Sequence, residues 1–276
     1  MSTPLSSDAP WSLAGKTALV TGASRGIGQA IAIHLARKGV TKLAITYASN
    51  IKSAEATLDQ CRALGVQQTV AIQADALDTE FGPKTISQVL EGLDTKVIDI
   101  LVNNAVLNDP SKALPITDAN LSNFLEVMQA NVFAPAALTT ALLPHLPAYG
   151  GRVIYISSTA AYQGNSDAVM TYGASKSALQ SYTRSFADTF AREKQATFNS
   201  VVVGMTETDA IKNAKHLMPP GFLEAQAKDT TAADRIGVPD DIAYIVGFLS
   251  SEEARWVNGA AISANGGNKQ VLSALG

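Results

Sequence analysis

The chain has one cysteine in 276 residues, only 16% charged residues and 6% aromatics, and each shortage removes a class of protein. Cys61 alone cannot build a disulfide framework within one chain, and its place in the helical-looking run 54–64 makes it a partly buried thiol rather than a reactive one. The three histidines, His34, His145 and His216, lie too far apart to pair at metal-ligand spacing, so no metal is expected. A net charge of −3 gives no general attraction to nucleic acid or to an anionic membrane. No uninterrupted apolar stretch approaches the roughly 20 residues of a membrane span. Residues 1–12, rich in Ser and Pro, lack the basic start and apolar centre of a signal peptide and read as a loose tail. The expectation is a soluble, cytoplasmic protein in which residues 13–276 form one domain.

Apolar residues make up 46% of the chain, enough to bury a substantial core. Short β-branched runs at 17–21, 43–47, 69–74, 98–103, 152–157, 199–203 and 260–263 alternate with longer amphipathic segments. Continuous apolar strands separated by helices imply a parallel sheet covered on both faces. The fold class expected is therefore α/β, a doubly wound, Rossmann-type three-layer sandwich with a mainly parallel seven-stranded sheet. Its ligands bind at the carboxyl ends of the strands. The helix after the first strand carries Ile27, Ala30, Ile31, His34 and Leu35 on one stripe, which makes His34 a helix-face residue. Long helical segments are expected at 121–143 and 170–193. The stretch 205–235, with Pro219, Pro220 and Gly221, breaks the rhythm and reads as a lid or as an ordinary surface excursion.

Two local patterns carry chemistry. Gly22, Gly26 and Gly28 follow a strand directly and open a helix, as a turn must when backbone approaches a pyrophosphate lying at a helix N-terminus. Tyr172 and Lys176 stand four residues apart, fourteen and eighteen after Ser158, and a helix puts both on one face. A free tyrosine loses its proton near pH ~10, and an adjacent ammonium is expected to lower that value. The second strand ends Ile45-Thr-Tyr-Ala-Ser-Asn50 without a carboxylate that would repel a 2′-phosphate. With Arg25 in the glycine turn and Ser49 and Asn50 nearby, this favours NADP(H) over NAD(H).

Thr21-Gly-Ala-Ser-Arg-Gly-Ile-Gly28, Asn103-Asn104-Ala105, Ser158 and Tyr172-Gly-Ala-Ser-Lys176 together resemble the short-chain dehydrogenase/reductase family, from about residue 13 to residue 267. The resemblance implies a catalytic tetrad of Asn131, Ser158, Tyr172 and Lys176. It places Gly22, Ser24, Arg25, Ile27, Gly28, Ser49, Asn50, Asp75, Asn104, Tyr172, Lys176, Thr206 and Thr208 around the cofactor. Asp75 would meet the adenine, Asn104 the ribose, and Thr206 and Thr208 the nicotinamide carboxamide. Taken alone, Asp75 reads as a turn residue, Asn104 as a buried amide, Asn131 as a helix-kink residue and Ser158 as a strand-end serine. The chain departs from the family pattern at Val106, Val203 and Asn265. Leu107, Asn108, Asp109, residues 160–167 and the segment from Met205 are expected to wall the substrate.

The resemblance implies NADPH-dependent reduction of a ketone or aldehyde on an apolar small molecule, with secondary-metabolite biosynthesis as its setting and a homodimer or homotetramer as its assembly. An alcohol dehydrogenase running the other way, and a cyclase or nucleotide-sensing module on the same fold, are the competing readings.

Overall fold

The computed structural model describes residues 9–107 and 114–272. The expected tail thus lies outside the described residues except for its last four, and so do Asn108 and Asp109.

Seven strands form a single parallel sheet in the order β3-β2-β1-β4-β5-β6-β7. They are β1 (Thr17–Val20), β2 (Lys42–Tyr47), β3 (Gln68–Gln73), β4 (Ile100–Asn103), β5 (Gly151–Ser158), β6 (Ala196–Val203) and β7 (Ala261–Ala264). The five inner strands β2, β1, β4, β5 and β6 are buried along almost their whole length, whereas the edges β3 and β7 are partly open. That is the reason they read as unbroken apolar runs.

Helices cover both faces: α1 (Gly26–Arg37), α2 (Ile51–Ala63), α3 (Phe81–Gly92), α4 (Leu121–Met128), α5 (Ala134–Leu142), α6 (Met170–Lys194), α7 (Asp209–Ala214), α8 (Phe222–Lys228) and α9 (Pro239–Leu249). The pleat sorts side chains between two cores. Ala18, Val20, Leu43, Ile45, Ile100 and Val102 pack with Ile31, Leu35, Leu58 and Ile242. Leu19, Ala44 and Leu101, which alternate with them, pack with Val89, Leu138, Leu179 and Phe186.

The long segment expected at 121–143 is interrupted. Between α4 and α5 the chain makes a π-helical turn at Gln129–Phe133, which contains Asn131. The run Leu121–His145 is long and apolar enough to cross a membrane by composition, yet 56% of its most apolar window is buried inside the protein. Such burial is the pattern of a core helix. His34 lies edge-to-face on Tyr244 of α9, with ring centroids 4.9 Å apart, and Cys61 is buried with its thiol pushed up to about 11 by desolvation.

The order of strands reverses between β1 and β4, which opens a crevice at their carboxyl ends. Tight packing beneath it fixes the helices. At Gly82 an added Cβ would stand 2.6 Å from the backbone of Ala137, so α3 and α5 meet there backbone to backbone. Gly82→Ala is therefore expected to destabilise the protein by about 1–3 kcal/mol, read as a lower urea midpoint with an unchanged slope.

Candidate active site

The glycine turn is held from below by side chains of its neighbours. Thr21 Oγ1 accepts the N–H groups of Asn104 and Ala105, each at 2.9 Å. Asn104 Nδ2 donates to the Thr21 and Gly22 carbonyls at 2.9 and 3.1 Å. A Cβ at Gly28 would collide with the Gly22 carbonyl oxygen and with Asn104 Nδ2, and Gly22 and Gly26 have φ of +64° and +60°. Only glycine fits at these three places. The N-terminus of α1 has no side-chain cap and no acid in its first turn. Its free N–H groups and positive dipole end thus suit the pyrophosphate of a dinucleotide.

Arg25, Ser49 and Asn50 are exposed where β1 and β2 end side by side, while Ser24 and Ile27 are half-buried. Asn50 has a second task, because its Oδ1 accepts from Ser53 N at 3.0 Å and caps α2. Asp75 is exposed after β3, with Oδ1 accepting from Leu77 N at 2.9 Å. Thr206 Oγ1 donates to Gly204 O at 3.0 Å and Thr208 Oγ1 caps α7 through Ile211 N at 3.4 Å. The Thr208 side chain also closes on the glycine turn, since a Cβ at Gly26 would lie 3.5 Å from its Cγ2. Several residues that the family pattern assigns to the cofactor therefore also hold the walls of its cleft.

At the next strand end, Ser158 finishes β5 with its Oγ accepting from Ala160 N at 3.2 Å, and its hydroxyl acts on the Tyr172 phenol in the first turn of α6. One turn later Lys176 is 4% exposed, and its Nζ donates to Ile156 O at 2.9 Å while standing 5.6 Å from the Tyr172 ring centroid. Asn131 is buried in the π turn. Its Oδ1 accepts from Leu107 N at 2.9 Å, and its Nδ2 donates to Ser175 Oγ at 3.2 Å. Ser175 in turn donates to the Tyr172 carbonyl at 2.6 Å. All four expected catalytic side chains are thus gathered at the β5–α6 junction.

The loop between Ser158 and Tyr172 lies on the start of α6. Asn165 Nδ2 donates to Ala160 O at 2.8 Å, directly over Gly173, where an added Cβ would collide with that same amide. Ser177 Oγ secures Ala161 O at 2.9 Å. Asp167, expected in the substrate wall, accepts from Ile116 N at 2.8 Å and so joins two loops rather than standing free. Ser175 escaped the sequence reading although it stands inside the Tyr-Lys pentapeptide, because its partner Asn131 is 44 residues away.

One expectation is corrected. Tyr172 is not lowered by Lys176; burial raises its pKa above the usual tyrosine value, opposed by the hydrogen bond from Ser158. Burial acts on the lysine too and brings it down to about 8. Desolvation disfavours each charged form, and here it outweighs the attraction expected from the pairing.

The sign of the consequence follows from linkage. An unfolded lysine keeps its proton until about pH 10.4, so between about 8 and that value the unfolded chain binds more protons and stability rises with pH. Below that window the buried ammonium is a constant cost. The stability difference between wild type and Lys176→Met is expected to shift toward wild type across this window, measured by urea denaturation as a function of pH.

A family model described as Enoyl-(Acyl carrier protein) reductase matches residues 22–269. The chain is 58% identical to Short chain dehydrogenase penD of Penicillium thymicola, over 99% of both chains. It is 59% identical to Short chain dehydrogenase asqE of Emericella nidulans, over 97% of this chain and 98% of that one. Among solved structures, a short chain dehydrogenase from Burkholderia cenocepacia in complex with NADP superposes with a TM-score of 0.81 at 34% identity, over 92% of this chain and 98% of that one. The reductase LugOII, described as catalysing keto-reduction at C1 during lugdunomycin biosynthesis, matches with a TM-score of 0.80 at 30% identity, over 93% and 99%. With a seven-stranded parallel sheet, a glycine turn under α1 and Ser158, Tyr172 and Lys176 at the β5–α6 junction, the chain belongs to the short-chain dehydrogenase/reductase family of oxidoreductases.

Proposed function

We propose that this protein is an NADPH-dependent reductase of a ketone or aldehyde on an apolar small molecule, acting in secondary-metabolite biosynthesis. The observation that carries this reading is the gathering of Ser158, at the carboxyl end of β5, with Tyr172 and the buried Lys176, whose Nζ stands 5.6 Å from the Tyr172 ring centroid. A bound reduced nicotinamide supplies the hydride for the carbonyl carbon. Ser158 donates a hydrogen bond to the carbonyl oxygen and fixes its distance. Tyr172 delivers the proton to the same oxygen, so that C=O becomes CH–OH. Lys176 holds the ribose hydroxyls and returns the proton to Tyr172, with Asn131 positioning that relay.

Tyr172 is protonated at neutral pH, as a tyrosine at or above its ordinary pKa must be, and this is the state from which a proton donor starts. Arg25, exposed beside a strand end that lacks a carboxylate, selects the 2′-phosphate of NADPH. Asp75, Asn104, Thr206 and Thr208 flank the cofactor at the places where they already brace the cleft, and the segment 205–235 acts as the lid over the substrate. Like LugOII, which is named for keto-reduction within a biosynthetic pathway, the enzyme works on a pathway intermediate.

The assembly is a homo-oligomer in the cytoplasm. Leu121, Phe124, Leu125 and Phe133, all well exposed on the α4–α5 segment, and Tyr182 on α6 give two long helices an apolar face for a second copy.

Two substitutions test the reading. Tyr172→Phe is expected to lower kcat for NADPH-dependent carbonyl reduction at least about a hundredfold while NADPH binding, followed by fluorescence titration, stays near wild type. Wild-type turnover in that variant would remove Tyr172 from the reaction. Arg25→Ala is expected to raise KM for NADPH about ten- to a hundredfold with far less effect on NADH, measured by initial rates with each coenzyme; equal losses would remove the phosphate contact.

A further inference from the structure

The π-helical turn touches more than the catalytic helix. Its first residue, Gln129, is half-buried, and its Nε2 donates to the Leu77 carbonyl at 2.6 Å across 52 residues of chain. Leu77 belongs to the loop after β3, where Asp75 Oδ1 binds its N–H at 2.9 Å. Ala76 of that loop, Thr21 of the glycine turn, Asn103 and Ala105 at the end of β4, and Ala130 of the π turn surround a cavity of only about 10 Å³.

Two sets of hydrogen bonds, linked to each other by the backbone of the π turn, cross this joint. The first runs from the Asp75 carboxylate to the Leu77 peptide and from the Leu77 carbonyl to Gln129. In the second, two residues further along the π turn, Asn131 donates to Ser175 Oγ, which holds the Tyr172 carbonyl. The far end of the cofactor site and the proton donor are thereby joined through one side chain that neither end contains and through the backbone of the π turn.

We propose that Gln129 is a positioning residue that couples the adenine end of bound NADPH to Tyr172. The inference rests on the reductase reading, which puts the adenine beside Asp75. Adenine does not reach the reacting atoms, so what it adds to kcat arrives through the cofactor's own linkage or through the protein, and supplying the adenosine half as a separate molecule isolates the second route. Fixing the Asp75–Leu77 loop fixes the Leu77 carbonyl. Gln129 then holds the π turn in the register that presents Asn131 to Ser175, and Ser175 sets the first turn of α6. A π turn serves this purpose because its extra residue turns Asn131 out of the regular helical phase.

The test compares NADPH with reduced nicotinamide mononucleotide, which lacks the whole adenosine half, across one panel of ketones and aldehydes. In Gln129→Met, which keeps length and removes the donor, the ratio of kcat with NADPH to kcat with the mononucleotide is expected to fall roughly three- to tenfold. In wild type, saturating adenosine 2′,5′-bisphosphate added to the mononucleotide is expected to accelerate turnover by a similar factor, and in Gln129→Met it is expected not to. An unchanged ratio in the variant, loss of kcat in equal proportion with both cofactors, or absence of acceleration in wild type would each overturn the coupling. Should Gln129→Met fail to fold, Gln129→Leu, which also removes the donor to the Leu77 carbonyl, carries the same comparison. A wild-type enzyme that oxidises neither cofactor with any carbonyl overturns the reductase reading and takes the coupling with it, whereas failure of the coupling alone leaves that reading intact.

Discussion

Lys176 keeps an ammonium where water scarcely reaches, with the Ile156 carbonyl as its hydrogen-bond partner. Much of the site is arranged around that burial. The same exclusion of solvent raises Tyr172 and lowers Lys176, so two groups nearly matched in water are driven apart on the pH scale, each favoured in its neutral form. The phenol therefore keeps its proton until a substrate oxygen takes it, and the ammonium, now the stronger acid, gives up its own more readily to refill the phenolate. Such an arrangement works only if neither side chain can swing into solvent. Ser158 and Ile156 are on β5, a strand buried between β4 and β6, while Tyr172 and Lys176 are on α6, whose Leu179 and Phe186 anchor it in the core beneath.

The glycine turn imposes the second constraint, and it is steric. Because Gly28 leaves no room for a Cβ, α1 approaches the end of β4 closely enough for Asn104 to reach two carbonyls of the turn. A site that must accept a charged pyrophosphate gains from being rigid beforehand, since ordering it at the moment of binding would subtract from affinity. Asn104, Thr21 and the capping side chains Asn50 and Thr208 supply that rigidity from within the cleft.

The sheet was legible because each inner strand is buried on both faces and so appears as an unbroken apolar run; the ends differ by one to three residues, the most at β6, which starts at Ala196 rather than 199. The site was legible wherever a residue's neighbour in space is also its neighbour in a short motif, as for Tyr172 and Lys176. It was illegible where partners come from distant segments. Nothing in a helical pattern over 121–143 marks the one-residue insertion at Gln129–Phe133, although Asn131 read alone as a kink residue was the correct local signal. The sign of the Tyr172 shift was missed for a related reason. Spacing shows which charge is close, whereas desolvation depends on everything packed around both groups.

The segment 205–235 brings these constraints to bear on motion. Both of its roots are fixed to the β6–β7 edge: Gly237 N donates to Met205 O at 2.9 Å, Glu207 N to Gly237 O at 2.8 Å, and Thr231 N to Gly266 O at 3.0 Å. Between the roots the helices are short, and α8 buries none of its residues. Local opening free energy follows buried contact, so displacement falls on the stretch between the roots and leaves the roots in place. Ser158, Tyr172, Lys176 and Asn131 lie on β5, α6 and the π turn, none of which belongs to that stretch. The lid role that we propose for 205–235 asks for this division, since movement between the roots would leave the side chains on β5, α6 and the π turn at their distances.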